Sequence, residues 1–246
     1  MIIGVLRVTG GVTELGLWSA LTLFPFPSTG LARYARPVWI FTNSHFICDA
    51  MKIHSAEFVK SAVTPLHYPP ASMPEIAFAG KSNVGKSALI NTLTQRKGLA
   101  KTSNSPGCTQ MINFFTVNNQ LSLVDLPGYG FAKVPVAVKK KWGPMVEAYL
   151  KDRSSLRLVL FVLDIRRDPG ENDLVMYRWL EFYGIPYLLV LTKIDKLSRQ
   201  QTVLHRQTIV DFFLPHSVPA ILFSARTGAG KEELWMEIGK IIFSGE

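Results

Sequence analysis

The sequence predicts an α/β fold of three layers, with helices on both faces of a six-stranded, mixed but mostly parallel sheet. Two patterns carry this expectation. Short apolar runs of strand length alternate with longer stretches of helical period, the βαβ rhythm of a parallel sheet. The run "PEIAFAG" at 74–80 also passes through a glycine-rich loop straight into a helix. That is how an open α/β sheet presents a ligand at the carboxyl ends of its strands.

Taken in order, "MKIHSAEFVKSAV" from Met51 reads as an amphipathic helix over 54–61, with Ile53, Phe58 and Val59 placed to pack. A buried strand follows at 75–80, with Ile76 and Phe78 alternating, then a helix at 86–96 carrying Leu89, Ile90 and Leu93 at helical spacing. Strands at 111–117 and 120–125 flank the turn "NNQ" (118–120), which makes them an antiparallel hairpin. Helices at 135–151, 172–183, 199–211 and 231–243 then alternate with strands at 157–164, 186–191 and 219–223. No repeat or low-complexity linker divides this stretch, so 51–246 is expected to be one domain.

With 48% hydrophobic residues the chain has enough apolar side chains for a continuous core, which excludes a disordered polymer. A net charge of +9 points to a polyanionic partner, nucleic acid or anionic lipid. Cys48 and Cys108 stand far apart, without CxxC spacing, so neither a disulfide framework nor a zinc site is expected, and a reducing compartment fits. No apolar run is long enough to span a membrane.

The stretch "GKSNVGKS" (80–87) contains Gly-Lys-Ser twice, but only the second triplet completes G-x-x-x-x-G-K-S between a strand and a helix. Gly80 and Gly85 let the loop turn with its N–H groups inward toward phosphate oxygens, and the helix behind adds partial positive charge. Lys86 then reaches the β and γ phosphates, and the Ser87 hydroxyl ligates Mg²⁺. Lys81 and Ser82 read as solvent-facing loop residues. "GAGK" at 228–231 has Ala225 where the first glycine belongs, and reads as a plain loop into the last helix.

"TKID" (192–195) leaves the apolar run at 185–191, so Asp195 stands at a strand exit. Its carboxylate accepts from guanine N1–H and the exocyclic amine; adenine offers neither donor on that edge. Lys193 lays its stem along the base, and Thr192 takes a place often held by Asn. "FSAR" (223–226) brings backbone N–H groups around Ser224 and Ala225 toward guanine O6. In "SLVDLPGYG" (122–130), Asp125 would hold Mg²⁺ through water and the Gly128 N–H would sense the γ-phosphate. Upstream, "SPGCTQ" (105–110) offers Thr109 as a second Mg²⁺ ligand. Where Ras-type GTPases carry a water-orienting Gln, this chain has Tyr129, so slow intrinsic turnover is expected, accelerated by a partner or a cation. Asn83 has two readings: a marker of K⁺ used in place of an arginine finger, or ordinary loop chemistry.

The segments "EFVKSAV", "HYPP", "PEIAFAGKSNVGKSALIN", "KTSNSPGCTQMINFF", "LVDLPGYGFAKV" and "FVLDIRRDP" together resemble the EngB/YsxC (YihA) family of bacterial GTPases, over residues 53 to about 243. The resemblance implies a TRAFAC-class P-loop GTPase of Ras-like fold, cytoplasmic, acting in large ribosomal subunit assembly and needed for normal cell division and septation. On matching positions it places GTP or GDP on Gly80, Lys81, Ser82, Asn83, Val84, Gly85, Lys86 and Ser87, and on Gly107, Cys108, Thr109, Gln110 and Met111. It adds Asp125, Leu126, Pro127 and Gly128, then Thr192, Lys193, Ile194 and Asp195, then Phe223, Ser224 and Ala225. Catalysis would rest on Lys86, Thr109 and Gly128, with Mg²⁺ on Ser87 and Thr109 and K⁺ as a candidate activator. Cys108 departs from the basic residue usual before the switch threonine.

Residues 1–50 differ from the rest, with few charges and no sustained period. A signal peptide, a transit peptide and a mis-called start before Met51 are the three readings, and the abrupt change at Met51 favours the last; little fixed structure is expected there. Basic residues gather in "KVPVAVKKKW" (133–142) and at Arg153, Arg157, Arg166 and Arg167. They form either a solvated helix face or a patch for rRNA phosphates. Two functions follow: a GTP-dependent switch, expected to be a monomer, docking on a ribosomal large-subunit precursor; or an adaptor at the division septum with hydrolysis incidental. No lipidation signal or basic amphipathic anchor supports membrane insertion.

Overall fold

The computed structural model describes residues 52–101, 111–130, 136–213 and 220–243, with side chains in the helix at 136–152 described from residue 143 onward. The expectations for residues 1–50, for Gly107 to Gln110, and for the side chains of Lys139 to Lys141 lie outside the described residues.

Seven strands form one sheet in the order β1-β3-β4-β2-β5-β6-β7. They are β1 (Ala56–Ala62), β2 (Glu75–Ala79), β3 (Ile112–Val117), β4 (Leu121–Asp125), β5 (Leu156–Asp164), β6 (Tyr187–Thr192) and β7 (Ala220–Leu222). β2 pairs in parallel with β4 and β5, and β5, β6 and β7 continue in parallel, while β3 runs antiparallel to both β4 and β1. The five described α-helices are α1 (Lys86–Leu93), α2 (Val136–Asp152), α3 (Glu171–Phe182), α4 (Arg199–Phe212) and α5 (Lys231–Phe243).

The expected helix at 54–61 is instead the seventh strand. Asn118, in the β3–β4 turn, explains why. Its side-chain oxygen accepts from the N–H groups of His54 (2.8 Å) and Ser55 (3.1 Å), and its amide donates to Lys52 O (2.8 Å). The chain therefore enters alongside β3, whose outer backbone edge would otherwise be unpaired. Phe58 meets Phe115 edge-on at 5.7 Å, and a register shift between Phe58 and Lys60 breaks the regularity of the exposed edge. Asn118 and Asn119 both adopt left-handed backbone (φ 52° and 53°), and Gln120 N donates to Val117 O (3.0 Å), closing the three-residue turn between Val117 and Leu121.

Alternation along β5 separates the two faces of the sheet. Leu158, Leu160 and Val162 join Ile76, Phe78, Leu89, Ile90, Leu93, Leu234, Trp235 and Ile238 in one buried cluster, so α1 and α5 cover that face. Phe161 points the other way, meeting Phe213 at 5.6 Å, and Phe213 in turn meets Tyr177 of α3 at 5.2 Å. α1 ends three residues before the expected position, because Gln95 turns left-handed (φ 55°), and Trp235 of α5 donates to the Leu93 carbonyl that the helix end leaves over (3.3 Å).

At the opposite end of the sheet from the strand exits, Arg153 is spent internally. Its guanidinium pairs with Glu75, donates to Pro69 O (2.9 Å), and lies over the rings of Tyr68 (5.6 Å) and Phe114 (5.7 Å). Glu75 also accepts from the Tyr149 hydroxyl at 2.8 Å. Arg153 thus leaves the expected surface patch, because a carboxylate only 1% exposed needs its charge. Arg153→Met should cost about 3–5 kcal/mol in urea denaturation, since Glu75 would remain buried without its cation; a loss below about 1 kcal/mol would refute the charge-burial account.

Candidate functional site

The loop leaving β2 is shaped by what surrounds it. A Cβ on Gly80 would stand 2.3 Å from Val162 O, so only glycine lets the chain turn this close to β5. Gly85 begins α1 in left-handed conformation (φ 109°). Lys86 is buried, with Nζ donating to Gly80 O (3.1 Å) and Lys81 O (3.3 Å), so its ammonium lies inside the loop's curve. Burial pulls its pKa down, opposed by the charge of Asp125.

Asp125 ends β4 beside this loop. The Ser87 hydroxyl lies 3.4 Å from its Oδ2, and Oδ1 is buried with no hydrogen-bond partner. Burial pushes the carboxyl pKa up, with Lys86 and the Ser87 hydrogen bond working against it. An orphaned carboxylate oxygen beside a hydroxyl is a hard-oxygen donor set that suits Mg²⁺, which takes few protein ligands and completes its shell with phosphate and water. Consistent with that economy, no group of three or more His, Cys, Asp or Glu gathers among the described residues.

The segment after Asp125 is fastened to the phosphate loop. Ser82 N donates to Tyr129 O (3.0 Å), Leu126 N to Phe78 O (3.1 Å), and Lys81 bridges Tyr129 in parallel. A Cβ on Gly128 would come within 2.9 Å of Ser82 N and Cα and 3.1 Å of Lys86 Nζ. Gly128 therefore holds its place by lacking a side chain. Lys81 corrects the solvent-facing expectation: its ammonium pairs with the buried carboxylate of Asp173.

β6 delivers the next group. Thr192 Oγ1 lies 2.5 Å from Val84 O and 3.0 Å from Leu163 O, and Lys193 Nζ donates to Asn83 O (2.6 Å) and to Asp164 Oδ2 (2.9 Å). Lys193 itself is left-handed (φ 64°). Asp195 accepts from the Ser224 hydroxyl at 2.7 Å, and that hydrogen bond holds its carboxyl below the usual range. Ile194 N reaches back to Phe223 O (3.4 Å), so "TKID" and "FSAR" meet as expected. One contact differs. Ser224 N donates to Ala229 O (3.0 Å), within a turn that a Cβ at Gly230 would break by meeting Leu222 O at 2.0 Å. "GAGK" is thus the tight loop into α5, and the Ser224 N–H is occupied.

Two buried carboxylates escaped the sequence reading. Asp164, at the end of β5, is held bidentately by Arg166 (2.9 and 2.7 Å) and by Lys193. Arg166 is thus paired while still exposed, and Arg157 and Arg167 are exposed as well. The signal was present, since the acid follows "FVL" at a strand exit like every other site residue. Asp173 lies at the start of α3, where an acid reads as an ordinary helix-terminal residue. Met111 is exposed. No helix among the described residues is long and apolar enough to cross a membrane.

A family model described as a 50S ribosome-binding GTPase matches residues 75–193. The chain is 57% identical over 190 residues to a probable GTP-binding protein EngB of Syntrophus aciditrophicus (strain SB), covering 77% of this chain and 96% of that one. It is 52% identical over 196 residues to a protein of the same name from Geobacter metallireducens, covering 80% and 96%. Among solved structures, a crystal structure of a probable GTP-binding protein engB is similar at TM-score 0.59 and 26% identity, over 69% of this chain and 99% of that one. Era in complex with MgGDPNP and nucleotides 1506–1542 of 16S ribosomal RNA is similar at TM-score 0.58 and 25% identity, over 71% and 58%.

Burial alone would raise the Asp164 pKa, but hydrogen bonds from Arg166 and Lys193 outweigh it and bring it from 3.8 to about 2. A depressed carboxyl stabilises the fold above its unfolded pKa and loses that contribution as pH falls through the folded one. Asp164→Asn should therefore lose on the order of 1–2 kcal/mol at pH 7. Denaturant titrations should show its deficit against the parent narrowing as pH drops from about 4 toward 2; a deficit independent of pH would contradict the ion-pair origin.

Proposed function

As a member of the EngB family of GTP-binding proteins, this chain binds GTP, and we propose that it is a slow GTPase switch that docks on a large ribosomal subunit precursor. In this reading residues 51–246 are the G domain. The observation that carries it is the joining of base and phosphate elements: Thr192 and Lys193 bond to the carbonyls of Val84 and Asn83, so the strand bearing Asp195 is fixed to the phosphate loop.

The roles follow from the geometry. Asp195, oriented by Ser224, accepts from guanine N1–H and the 2-amine, and the Ala225 N–H takes O6. Lys193 packs its stem along the base while its ammonium is anchored. The Lys86 ammonium and the N–H groups of Gly80 to Ser87, apart from that of Ser82, which bonds to Tyr129 O, hold the phosphates. Ser87 and Asp125 would hold Mg²⁺, with Thr109 joining them in the GTP state; the ion, when bound, neutralises charge on the β and γ phosphates. Gly128 offers its N–H to the γ-phosphate.

Turnover is slow in this reading because the Tyr129 hydroxyl donates to Asp173 (2.8 Å) and is buried away from any attacking water. Water must then be oriented from elsewhere. Asn83 adopts left-handed backbone (φ 63°) at the loop's outer turn, where an activating K⁺ would stand. Hydrolysis should accordingly run at least about tenfold faster in KCl than in NaCl at equal ionic strength; equal rates would remove the cation.

Support for the ribosomal partner comes from the matching family's description, the +9 charge and the likeness to the EngB relatives. Co-sedimentation with large-subunit precursors in GTP analogue, GDP and nucleotide-free buffer tests the switch. Binding should require the analogue and weaken steeply with salt, and an Asp195→Asn chain should fail to respond to it. Binding that ignores the nucleotide would defeat the proposal.

A further inference from the structure

Asp173 is 1% exposed, stands outside every nucleotide motif, and nevertheless gathers three segments of the phosphate end. Its Oδ1 accepts from the Tyr129 hydroxyl (2.8 Å). Its Oδ2 accepts from the Lys81 ammonium and from Gly170 N (2.8 Å). Lys81 belongs to the phosphate loop, Tyr129 directly follows Gly128, and Gly170 caps α3, whose Tyr177 packs on Phe213. Packing around the carboxylate is tight: a Cβ on Gly170 would stand 3.3 Å from Lys81 Nζ, and one on Gly130 3.2 Å from Lys81 Cγ.

We propose that Asp173 is a positioning residue for the contact to the third phosphate of a guanosine triphosphate, holding Tyr129 and Lys81 so that Gly128 stays against the phosphate loop. This rests on the reading above, in which the Gly128 N–H meets the γ-phosphate. The base contacts come from 192–195 and 223–225, and the α and β phosphates sit on 80–87, so a diphosphate makes none of its contacts through Gly128. A triphosphate does. Removing the Tyr129 hydroxyl's bond loosens the residue next to Gly128, although its backbone keeps the bond from Ser82 N to Tyr129 O (3.0 Å) and the bridge to Lys81. The loss then falls on the nucleotide that carries the third phosphate.

The test measures, by equilibrium titration on the full chain, dissociation constants for GDP and for a non-hydrolysable GTP analogue. Tyr129→Phe keeps the ring and removes only the hydroxyl. It should weaken the analogue roughly fivefold to tenfold while GDP stays within about twofold. Asp173→Ala should weaken the analogue at least as much, and the double variant should be no worse than Asp173→Ala alone, because both remove one shared bond. Should Asp173→Ala fail to fold, Tyr129→Phe decides by itself. GDP and analogue falling together, neither moving, or the two substitutions adding fully would each overturn the assignment. If the parent chain binds ATP as well as GTP, the guanine reading falls, and this proposal with it.

Discussion

Two carbonyl oxygens of the phosphate loop, those of Asn83 and Val84, receive the side chains of Lys193 and Thr192, and the nucleotide pocket depends on that junction. It crosses the sheet, linking the exit of β2 to the exit of β6 over β5, which lies between them. Parallel strands leave their carboxyl ends on one edge, and loops there would wander without such ties. Asp164, at the exit of the intervening strand, completes the junction by holding Lys193 from below. The loop after β2 and the turn after β6 are thereby set at one fixed spacing.

Most of this was legible in the chain. The core strands fall within a residue or two of expectation because each is a short apolar run closed by Gly, Pro or a polar residue, and the βα alternation dictated a parallel sheet. Gly80, Lys86, Asp125, Thr192 and Asp195 announce themselves by fixed spacing at strand ends. What stayed hidden depended on partners distant in sequence. Ala56–Ala62 becomes a strand because Asn118, more than sixty positions away, takes its preceding N–H groups. Phe58 and Val59 fit a helix face as well as a sheet edge, so local pattern could not decide. Likewise Arg153 and Arg166 look like surface charge until Glu75 and Asp164 are seen to claim them.

Buried charge marks the two ends of this sheet differently. At the strand exits, Asp164 and Asp173 each hold cations of the ligand loops, so ionic bonds are coupled to the site. At the far end, Glu75, Arg153 and Tyr149 form a closed group that touches no ligand element and ties β2 to the end of α2. The first kind ties together the loops at the strand exits, and the second ties β2 to the end of α2. Lys86 and Asp125 form a third kind, each desolvated and shifted toward neutrality, with one carboxylate oxygen still lacking a partner.

The pairing of Trp235 with Leu93, and of Ser224 with Asp195, has a consequence for biogenesis. Trp235 and Ser224 are made late, and they close on elements synthesised before them. A chain translated only as far as Asp195 contains the phosphate loop, but that carboxylate lacks the hydroxyl that orients it, and the end of α1 lacks its indole donor. Both arrangements await the segments that follow β6 in the order of synthesis.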